Sequence, residues 1–241
     1  MIVTGKTDVG LKRSSNQDGF AHGRLGDAVW AVVCDGMGGA NGGNIACEIA
    51  VKRIATVMEN FDIRTLGEGT VQRAFESAIA SANALIFDRA AKEPALAGMG
   101  TTAVIVLAVD KVAYVAHVGD SRCYHLQSGK LVRVTRDHSV VQSLVESGKI
   151  TDEQAKTHAQ KNIITRAIGV DRLVEPEFDT VALQPGDRLL LCSDGLTNFA
   201  EESAIAALLT QPETDAVPAA LIEAANRGGG GDNITAVVIG C

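Results

Sequence analysis

The chain has 241 residues, of which 46% are hydrophobic, and a formal net charge of −7. A chain of this length and apolar content can bury a full core, and it fits one domain over residues 1–241 better than two small ones. Its lysines and arginines are scattered, so it lacks the basic stripe of a nucleic-acid-binding protein. The five cysteines are odd in number and form no C-x-x-C pair, which argues against a disulfide framework and a structural zinc site.

Seven segments have the pattern of strands and four have the pattern of helices. In chain order we predict a strand at 28–36, helices at 43–60 and 68–92, strands at 102–109, 112–120, 129–134, 178–183 and 187–195, helices at 201–210 and 216–227, and a strand at 234–239. Strands come in runs and helices in pairs, which favours antiparallel sheets with helices packed outside over a doubly wound parallel sheet. The polar stretch 146–161 is compatible with a mobile lid or a surface excursion.

No segment predicts a secretory signal or a membrane span. The start, MIVTGKTDVG, lacks a positively charged region followed by an apolar one. No apolar run approaches the roughly 20 residues that cross a bilayer. We therefore expect a cytoplasmic protein with neither membrane nor nucleic-acid partners.

Five aspartates stand beside turn residues, three of them at the ends of apolar strands: Asp18, Asp35, Asp120, Asp194 and Asp232. Each alone is ordinary turn chemistry. Burying several carboxylates together is costly unless a positive group neutralises them. Oxygen-only clusters suit Mg²⁺ or Mn²⁺, and two such ions about 4 Å apart can activate a shared water and hold a phosphoryl oxygen. The pattern therefore indicates phosphate-ester hydrolysis assisted by divalent cations.

Small and basic residues near these acids fit the same chemistry. Gly36 and Gly38 are among the glycines that allow backbone carbonyls and a bulky phosphate to come close. Arg13, five residues before Asp18, can clamp phosphate oxygens through two hydrogen bonds. Standing alone, Arg13 would be taken for a solvated surface residue.

Eight ordered sequence blocks resemble those of the metal-dependent protein phosphatases of type 2C, in their compact bacterial form. The resemblance runs over residues 7–238, and its blocks are TDVGLKRSSNQD (7–18), VVCDGMGG (32–39), GMGTTAVIV (98–106), AHVGDSRCY (116–124), TRDHS (135–139), ITRAIG (164–169), LLLCSDGLTN (189–198) and GGGDNITAVVI (229–239). It implies hydrolysis of phosphoserine and phosphothreonine in proteins.

The resemblance also implies roles for individual residues. Asp35 is expected to bridge two Mn²⁺ or Mg²⁺ ions. Asp194 and Asp232 complete the first ion site, and Asp18 with the Gly36 carbonyl completes the second. Asp120, with Asp194, falls where bacterial members can hold a third, weaker ion, and Arg13 falls where the family binds substrate phosphate.

The fold that the resemblance implies is α+β. Two packed antiparallel β-sheets are flanked by helices on both outer faces, which makes a four-layer αββα sandwich and agrees with the runs of strands and pairs of helices. Residues 140–162 occupy the place of the family's flap, a mobile element near the active site.

The group that protonates the leaving oxygen is left open. Met37 and Ala40 stand where some relatives carry a histidine. A metal-bound water can serve instead. The nearest histidines are His138, which we expect to be a structural turn residue, and His158, which we expect to be solvated.

The residues leave two alternatives to a metal-dependent phosphatase. Cys47 and Arg53 have the C-x₅-R spacing of cysteine-based phosphatases, but the intervening EIAVK is helical rather than a Gly-rich phosphate loop. The other rival is a catalytically silent family member that only binds partners. Degenerate copies lose metal ligands, whereas every matching acid is present here.

The expected partners follow from the reaction. They are phosphorylated proteins, including a Ser/Thr kinase or its substrates, and the chain is expected to act as a monomer.

Overall fold

The computed structural model describes residues 1–241, except for the side chains of residues 40 and 41. Its strands are β1 (Ile2–Asp8), β2 (Asp18–Leu25), β3 (Ala28–Met37), β4 (Gly100–Thr101), β5 (Ala103–Val109), β6 (Val112–Val118), β7 (Arg122–Gln127), β8 (Lys130–Arg133), β9 (Glu177–Ala182), β10 (Arg188–Cys192) and β11 (Ile234–Gly240). Its α-helices are α1 (Gly39–Glu59), α2 (Glu68–Lys92), α3 (Val140–Glu146), α4 (Asp152–Lys156), α5 (Asp194–Thr197), α6 (Glu202–Leu209) and α7 (Val217–Arg227).

The strands form two antiparallel sheets. One has the order β1-β11-β10-β7-β8, and the other has the order β2-β3-β5-β6-β9 with the short β4 paired to β3. Every strand pair is antiparallel. The prediction of antiparallel sheets over a doubly wound parallel sheet is therefore confirmed.

Three hydrophobic layers hold the sandwich together. Along β3, Val29 and Val33 face the other sheet, while Trp30 and Val32 face α1 and α2. A third cluster, with Leu190 among its members, lies between the first sheet and helices α5 to α7. Central strands are thus buried on both faces, which is why they read as unbroken apolar runs rather than alternating ones. The four-layer αββα architecture is confirmed.

The predicted elements agree with the structure in type, and the differences lie at their ends. The helix predicted at 68–92 has those bounds as α2, whereas α1 begins at Gly39, ahead of the predicted residue 43. The strand predicted at 112–120 stops at Val118 because Gly119 turns the chain with φ +99°. The strand predicted at 187–195 stops at Cys192 because the chain then enters α5.

Residues 140–162 leave the sandwich as an excursion with a closed base. The chain departs and returns beside itself, with a bridge between Ser139 and Ile164 and a 2.9 Å hydrogen bond from the Val140 N–H to the Ile163 carbonyl. The segment contains α3 and α4, and neither helix has a fully buried residue. Packing therefore contributes little to holding it in place.

The strand directions bring the candidate acids to one end of the sandwich. β3 and β6 both run antiparallel to β5, so Asp35 and the Gly119–Asp120 turn lie at the same end of their sheet. β2 begins where β3 ends, with Asp18 paired to Asp35. None of the helices in the described chain is long and apolar enough to cross a membrane.

Candidate active site

A cleft of about 550 Å³ opens at the end of the sandwich where the candidate acids converge. Of the residues predicted for the site, those that line it are Arg13, Asp35, Gly36, Asp120, Asp194 and Asp232. Asp18 is the one predicted residue that lies beneath the lining. Its negative charge raises the pKa of Asp35. The structure thus brings together residues from five separate parts of the chain.

Asp18 has one carboxylate oxygen that is satisfied and one that is not. Its Oδ2 accepts hydrogen bonds from Ser193 Oγ at 2.6 Å and Thr235 Oγ1 at 2.8 Å. Its Oδ1 is buried and has no protein partner. Burial is the largest cause that raises the pKa of Asp18 to about 7, against the lowering effect of the two hydroxyls. An unpartnered buried carboxylate oxygen is a position that a cation can fill.

The other acids of the cleft repel one another. Burial, followed by the charges of Asp18, Asp194, Asp120 and Asp232, raises the pKa of Asp35 well above its usual range. Burial also raises the pKa of Asp120 to about 7 and raises that of Asp194. Such a group is stable in its ionised form only when positive charge compensates it.

Thr102, a hydroxyl residue that the sequence did not point to, holds the backbone of Asp35 through two hydrogen bonds. Thr102 Oγ1 accepts the Asp35 N–H at 3.0 Å, and the Thr102 N–H donates to the Asp35 carbonyl at 2.8 Å. Thr102 Oγ1 is also 2.7 Å from Ser121 Oγ, next to Asp120. The hydroxyls therefore join the strand ends that carry two of the acids.

Asn233 is a further residue that sequence reasoning missed. It is buried, its Oδ1 accepts the Gln17 N–H at 2.8 Å, and its Nδ2 donates to the carbonyls of Val9 at 3.0 Å and Ser15 at 2.9 Å. These bonds fasten the loop that carries Arg13 to the residue next to Asp232. The sequence signal was its place inside the GGGDN block.

Arg13 lies at the mouth of the cleft. Its Nη2 donates to Asp232 Oδ2 at 2.8 Å, and 52% of its side chain is exposed. An ion pair this exposed is worth only about 0–1 kcal/mol, so a phosphate can exchange for the carboxylate at little cost. Gly38 and Gly39, at the N-terminus of α1, also line the cleft, and helix N–H groups there favour an anion.

Gly36 has to be a glycine at its position. A Cβ there would lie 2.1 Å from the Gly43 carbonyl oxygen and 2.8 Å from the Gln17 carbonyl oxygen. The backbone of β3 can therefore approach α1 closely while it lines the cleft.

The donor set fits hard divalent cations. It consists of carboxylate oxygens and backbone carbonyls, with no histidine or cysteine in the lining that the structure describes. Such oxygen donors favour Mg²⁺ and Mn²⁺ over zinc. The mutual repulsion of the acids and the unpartnered Asp18 Oδ1 are both relieved when cations bind between them.

Neither histidine considered as a proton donor lines the cleft. His138 is buried and bonded to backbone and to Glu177, as expected for a structural residue. His158 is half-buried rather than solvated as predicted, and its Nδ1 accepts the Gln160 N–H at 3.1 Å. Met37 lines the cleft, and the side chain of Ala40 lies outside the described residues.

The structure rules out the cysteine-based reading. Cys47 is 3% exposed within α1, its thiol donates to the Cys34 carbonyl, and burial raises its pKa above the usual range. Arg53 instead bonds Ser81 Oγ through two nitrogens, at 2.7 and 3.1 Å. No thiolate nucleophile can form there.

A second group of potential metal ligands lies outside the cleft lining and consists of His117, His138 and Glu177. Glu177 already pairs with Arg166 at 3.2 Å and Arg136 at 3.5 Å. The His138 Nδ1 lone pair accepts the Gly119 N–H. Two neighbouring guanidinium groups and an occupied imidazole make this a protein-internal network rather than a cation site.

A family model described as protein phosphatase 2C matches residues 11–221. The chain belongs to the protein phosphatase 2C family. Protein phosphatase PhpP of Streptococcus pneumoniae is 40% identical over 243 residues, which cover 99% of this chain and 97% of that one. The resemblance inferred from the eight sequence blocks is confirmed.

Solved structures of serine/threonine phosphatases share the whole fold. The serine/threonine phosphatase of S. agalactiae is 37% identical, with a TM-score of 0.92, and covers 100% of this chain and 99% of its own. A structure of the catalytic domain of the phosphatase PstP in complex with two manganese ions is 34% identical, with a TM-score of 0.87 over 98% of this chain and 96% of that one. The chain is thus a metal-dependent protein serine/threonine phosphatase.

Proposed function

We propose that the clustered acids of the cleft hold two divalent cations, Mn²⁺ or Mg²⁺, for the hydrolysis of phosphoserine and phosphothreonine in proteins. The observation that carries the proposal is the convergence of mutually repelling carboxyls around the unpartnered Asp18 Oδ1. Two such ions, when bound, lower the pKa of a shared water and neutralise charge on the phosphoryl group.

Each residue then has a stated task. Asp35 bridges the two ions, Asp194 and Asp232 complete one site, and Asp18 with the Gly36 carbonyl completes the other. Asp120 and Asp194 hold a third, weaker ion. The assignments of Asp35, Asp120, Asp194 and Asp232 are supported by the cleft that they share. The assignment of Asp18 is supported by its charge, which raises the pKa of Asp35.

The phosphate is held from the protein side by cationic and amide groups. Arg13 exchanges its bond to Asp232 for the substrate phosphate, and the N-terminus of α1 at Gly38 and Gly39 faces the same anion. The described lining offers no histidine, so we assign protonation of the serine or threonine leaving oxygen to water in the cleft.

The biological setting extends the same proposal. The substrates are phosphoproteins in the cytoplasm of a bacterium, including a cognate Ser/Thr kinase or its targets, and the enzyme acts as a monomer in signalling. Residues 1–241 act as one catalytic domain. Residues 140–162 act as a mobile flap, which is supported by the closed base and the lack of buried residues in α3 and α4.

The test is turnover of a phosphothreonine peptide and of p-nitrophenyl phosphate with Mn²⁺, with EDTA, and after thiol alkylation. We expect activity that EDTA abolishes and alkylation leaves unchanged. Asp35→Asn should lower kcat by at least about 10³-fold, because the bridging charge is lost. The matched control is Asp110→Asn, at the exposed β5–β6 turn, where φ of +50° suits asparagine as well as aspartate.

The silent-member alternative makes the opposite forecast. It requires no hydrolysis by the wild-type chain and equal binding of a phosphoprotein by wild type and Asp35→Asn. If Asp35→Asn instead hydrolyses phosphate esters at the wild-type rate, the chain is an active phosphatase but Asp35 does not hold the ions.

A further inference from the structure

The turn that carries Asp120 is clamped by one residue from a distant part of the chain. The Gly119 N–H donates to His138 Nδ1 at 3.1 Å, and the His138 N–H donates to the Gly119 carbonyl at 2.9 Å. Both polar groups of Gly119 are therefore satisfied by His138. The turn also needs glycine, since φ is +99° and a Cβ would lie 2.6 Å from Thr102 Cγ2.

The hydrogen bonds define which nitrogen of His138 carries the proton. Because Nδ1 accepts an N–H, a neutral imidazole must carry its proton on Nε2, which lies 3.3 Å from Glu177 Oε1. The ring is 6% exposed and stacks on His117 with centroids 4.6 Å apart. Burial is the largest cause that lowers the pKa of His138 to about 4, so the ring remains neutral near neutral pH.

His138 also stands at the base of the 140–162 segment. Its carbonyl accepts the Thr165 N–H at 2.7 Å, directly beside the bridge between Ser139 and Ile164. One residue thus contacts the turn that leads into the cleft and closes the base of the excursion.

We propose that His138 is a positioning residue that acts through Nδ1 on the Gly119 N–H, in the turn that leads to Asp120, and sets the Asp120 carboxyl in place for ion binding. The inference rests on the proposed assignment of Asp120 to a weaker ion. Its readout is the affinity for Mn²⁺ in the absence of substrate. A residue that only supports the fold would change stability and leave that affinity unaltered.

Two amide substitutions separate the two sides of the imidazole. His138→Asn places an acceptor oxygen where Nδ1 stands, and His138→Gln places its amide nearer the Nε2 position, toward Glu177. We expect the Asn variant to bind Mn²⁺ within about twofold of wild type, and the Gln variant to bind the weakest Mn²⁺ about 10-fold less tightly. Isothermal titration calorimetry with Mn²⁺ measures both, and thermal melts in EDTA record stability separately.

A double-mutant comparison tests whether His138 acts through Asp120. In an Asp120→Asn background, His138→Gln should cause no further loss of Mn²⁺ affinity. The matched control is His125→Asn, which removes the imidazole Nε2 that lies 2.8 Å from Asp187 Oδ2. His125 is buried on β7 opposite Leu189, away from the cleft end of β10. This substitution should lower the melting temperature and leave Mn²⁺ binding unchanged.

The outcomes separate the positioning role from the assignment on which it rests. Equal weakening in the Asn and Gln variants, or a His138→Gln effect that persists in full without Asp120, overturns the positioning role. Wild-type Mn²⁺ binding by Asp120→Asn overturns the assignment of Asp120 itself, and the positioning role with it. Weaker binding by Asp120→Asn together with unaltered binding by His138→Gln overturns the positioning role alone.

Discussion

Arg13 has two possible partners that compete for its guanidinium group, the Asp232 carboxylate and the substrate phosphate. It bonds Asp232 at the cleft mouth, and its half-exposed side chain can swing to a phosphate at little cost. A planar guanidinium that grips two phosphate oxygens gives both binding energy and orientation. Arg13 therefore contributes to substrate affinity rather than to the formation of the acid cluster.

For Arg13→Ala we expect KM for a phosphopeptide to rise about 10-fold, with a smaller change in kcat, because ground-state and transition-state binding weaken together. Steady-state kinetics at saturating Mn²⁺ measure the split. Arg24→Ala is the control, because that exposed guanidinium bonds only the Met1 carbonyl among the described contacts. An unchanged KM in Arg13→Ala would return Arg13 to an ordinary surface residue.

The sequence predicted the acids of the site and missed the residues that hold them. Asp35 and Asp194 stand out because each follows a strand-like apolar run and precedes a glycine. Ser193 and Thr235 do not stand out in the sequence, because their partner Asp18 lies 175 residues from Ser193 and 217 residues from Thr235 in the chain. Hydroxyl residues have no local signature, so only the fold shows which of them donate to a buried carboxylate.

At the scale of elements, the strands that sequence reasoning missed are those with glycines or polar residues. β2 reads DGFAHGRL, and Gly23 weakens any local strand pattern. In the fold a Cβ at Gly23 would lie 2.8 Å from Trp30 Nε1, so the glycine makes room for the ring on β3. That requirement is tertiary and cannot be read from neighbouring residues. β3 was predicted because burial on both faces leaves an unbroken apolar run, and α2 was predicted because burial of one face leaves apolar residues at helical spacing.

The 140–162 segment offers a test of an element that is separable from the core. The segment can be removed by replacing residues 141–162 with Asn-Gly. This two-residue hairpin turn would connect Val140 to Ile163, which are already paired at the base of the segment. Because α3 and α4 have no fully buried residues, we expect the melting temperature to fall by less than about 5 °C. We expect p-nitrophenyl phosphate turnover within about threefold of wild type and a KM for phosphoprotein changed by more than that.

The flap proposal depends on that contrast between substrates. A shortened enzyme with both substrates unaffected would make the segment a surface excursion. A chain that no longer folds would show that the segment contributes to the core.

At the scale of the whole molecule, the acid cluster opposes folding in the absence of metal. Asp18 and Asp120 have pKa values raised by burial from 3.8 to about 7. Below the unfolded value both states are protonated and these groups cost nothing. As pH rises through the folded value, the unfolded chain gains by ionising first, so stability is lost across this window.

We expect the metal-free melting temperature to fall between about pH 4 and pH 7, because the carboxyls must ionise in a desolvated cluster. Mn²⁺ binds the ionised, folded site, so its stabilising effect should be larger at the higher pH. A 100-fold excess over Kd contributes about 2.7 kcal/mol, or roughly 5–10 °C for a chain of this size. Differential scanning calorimetry with EDTA or Mn²⁺ measures this.

Asp18→Asn is the matched variant for the pH series. It removes one of the titrating groups while keeping the volume and an acceptor for Ser193 and Thr235. The loss of metal-free stability with rising pH should be shallower in this variant. A slope identical to that of wild type would mean that Asp18 does not carry the effect.

The central claim is that carboxylates at the strand ends hold two cations with Asp35 between them. Anomalous diffraction at the manganese edge, from crystals grown with Mn²⁺, tests this claim most directly. The account requires two strong peaks that both contact Asp35, one near Asp194 and Asp232 and the other near Asp18 and the Gly36 carbonyl. A single peak, or peaks that do not contact Asp35, would contradict it.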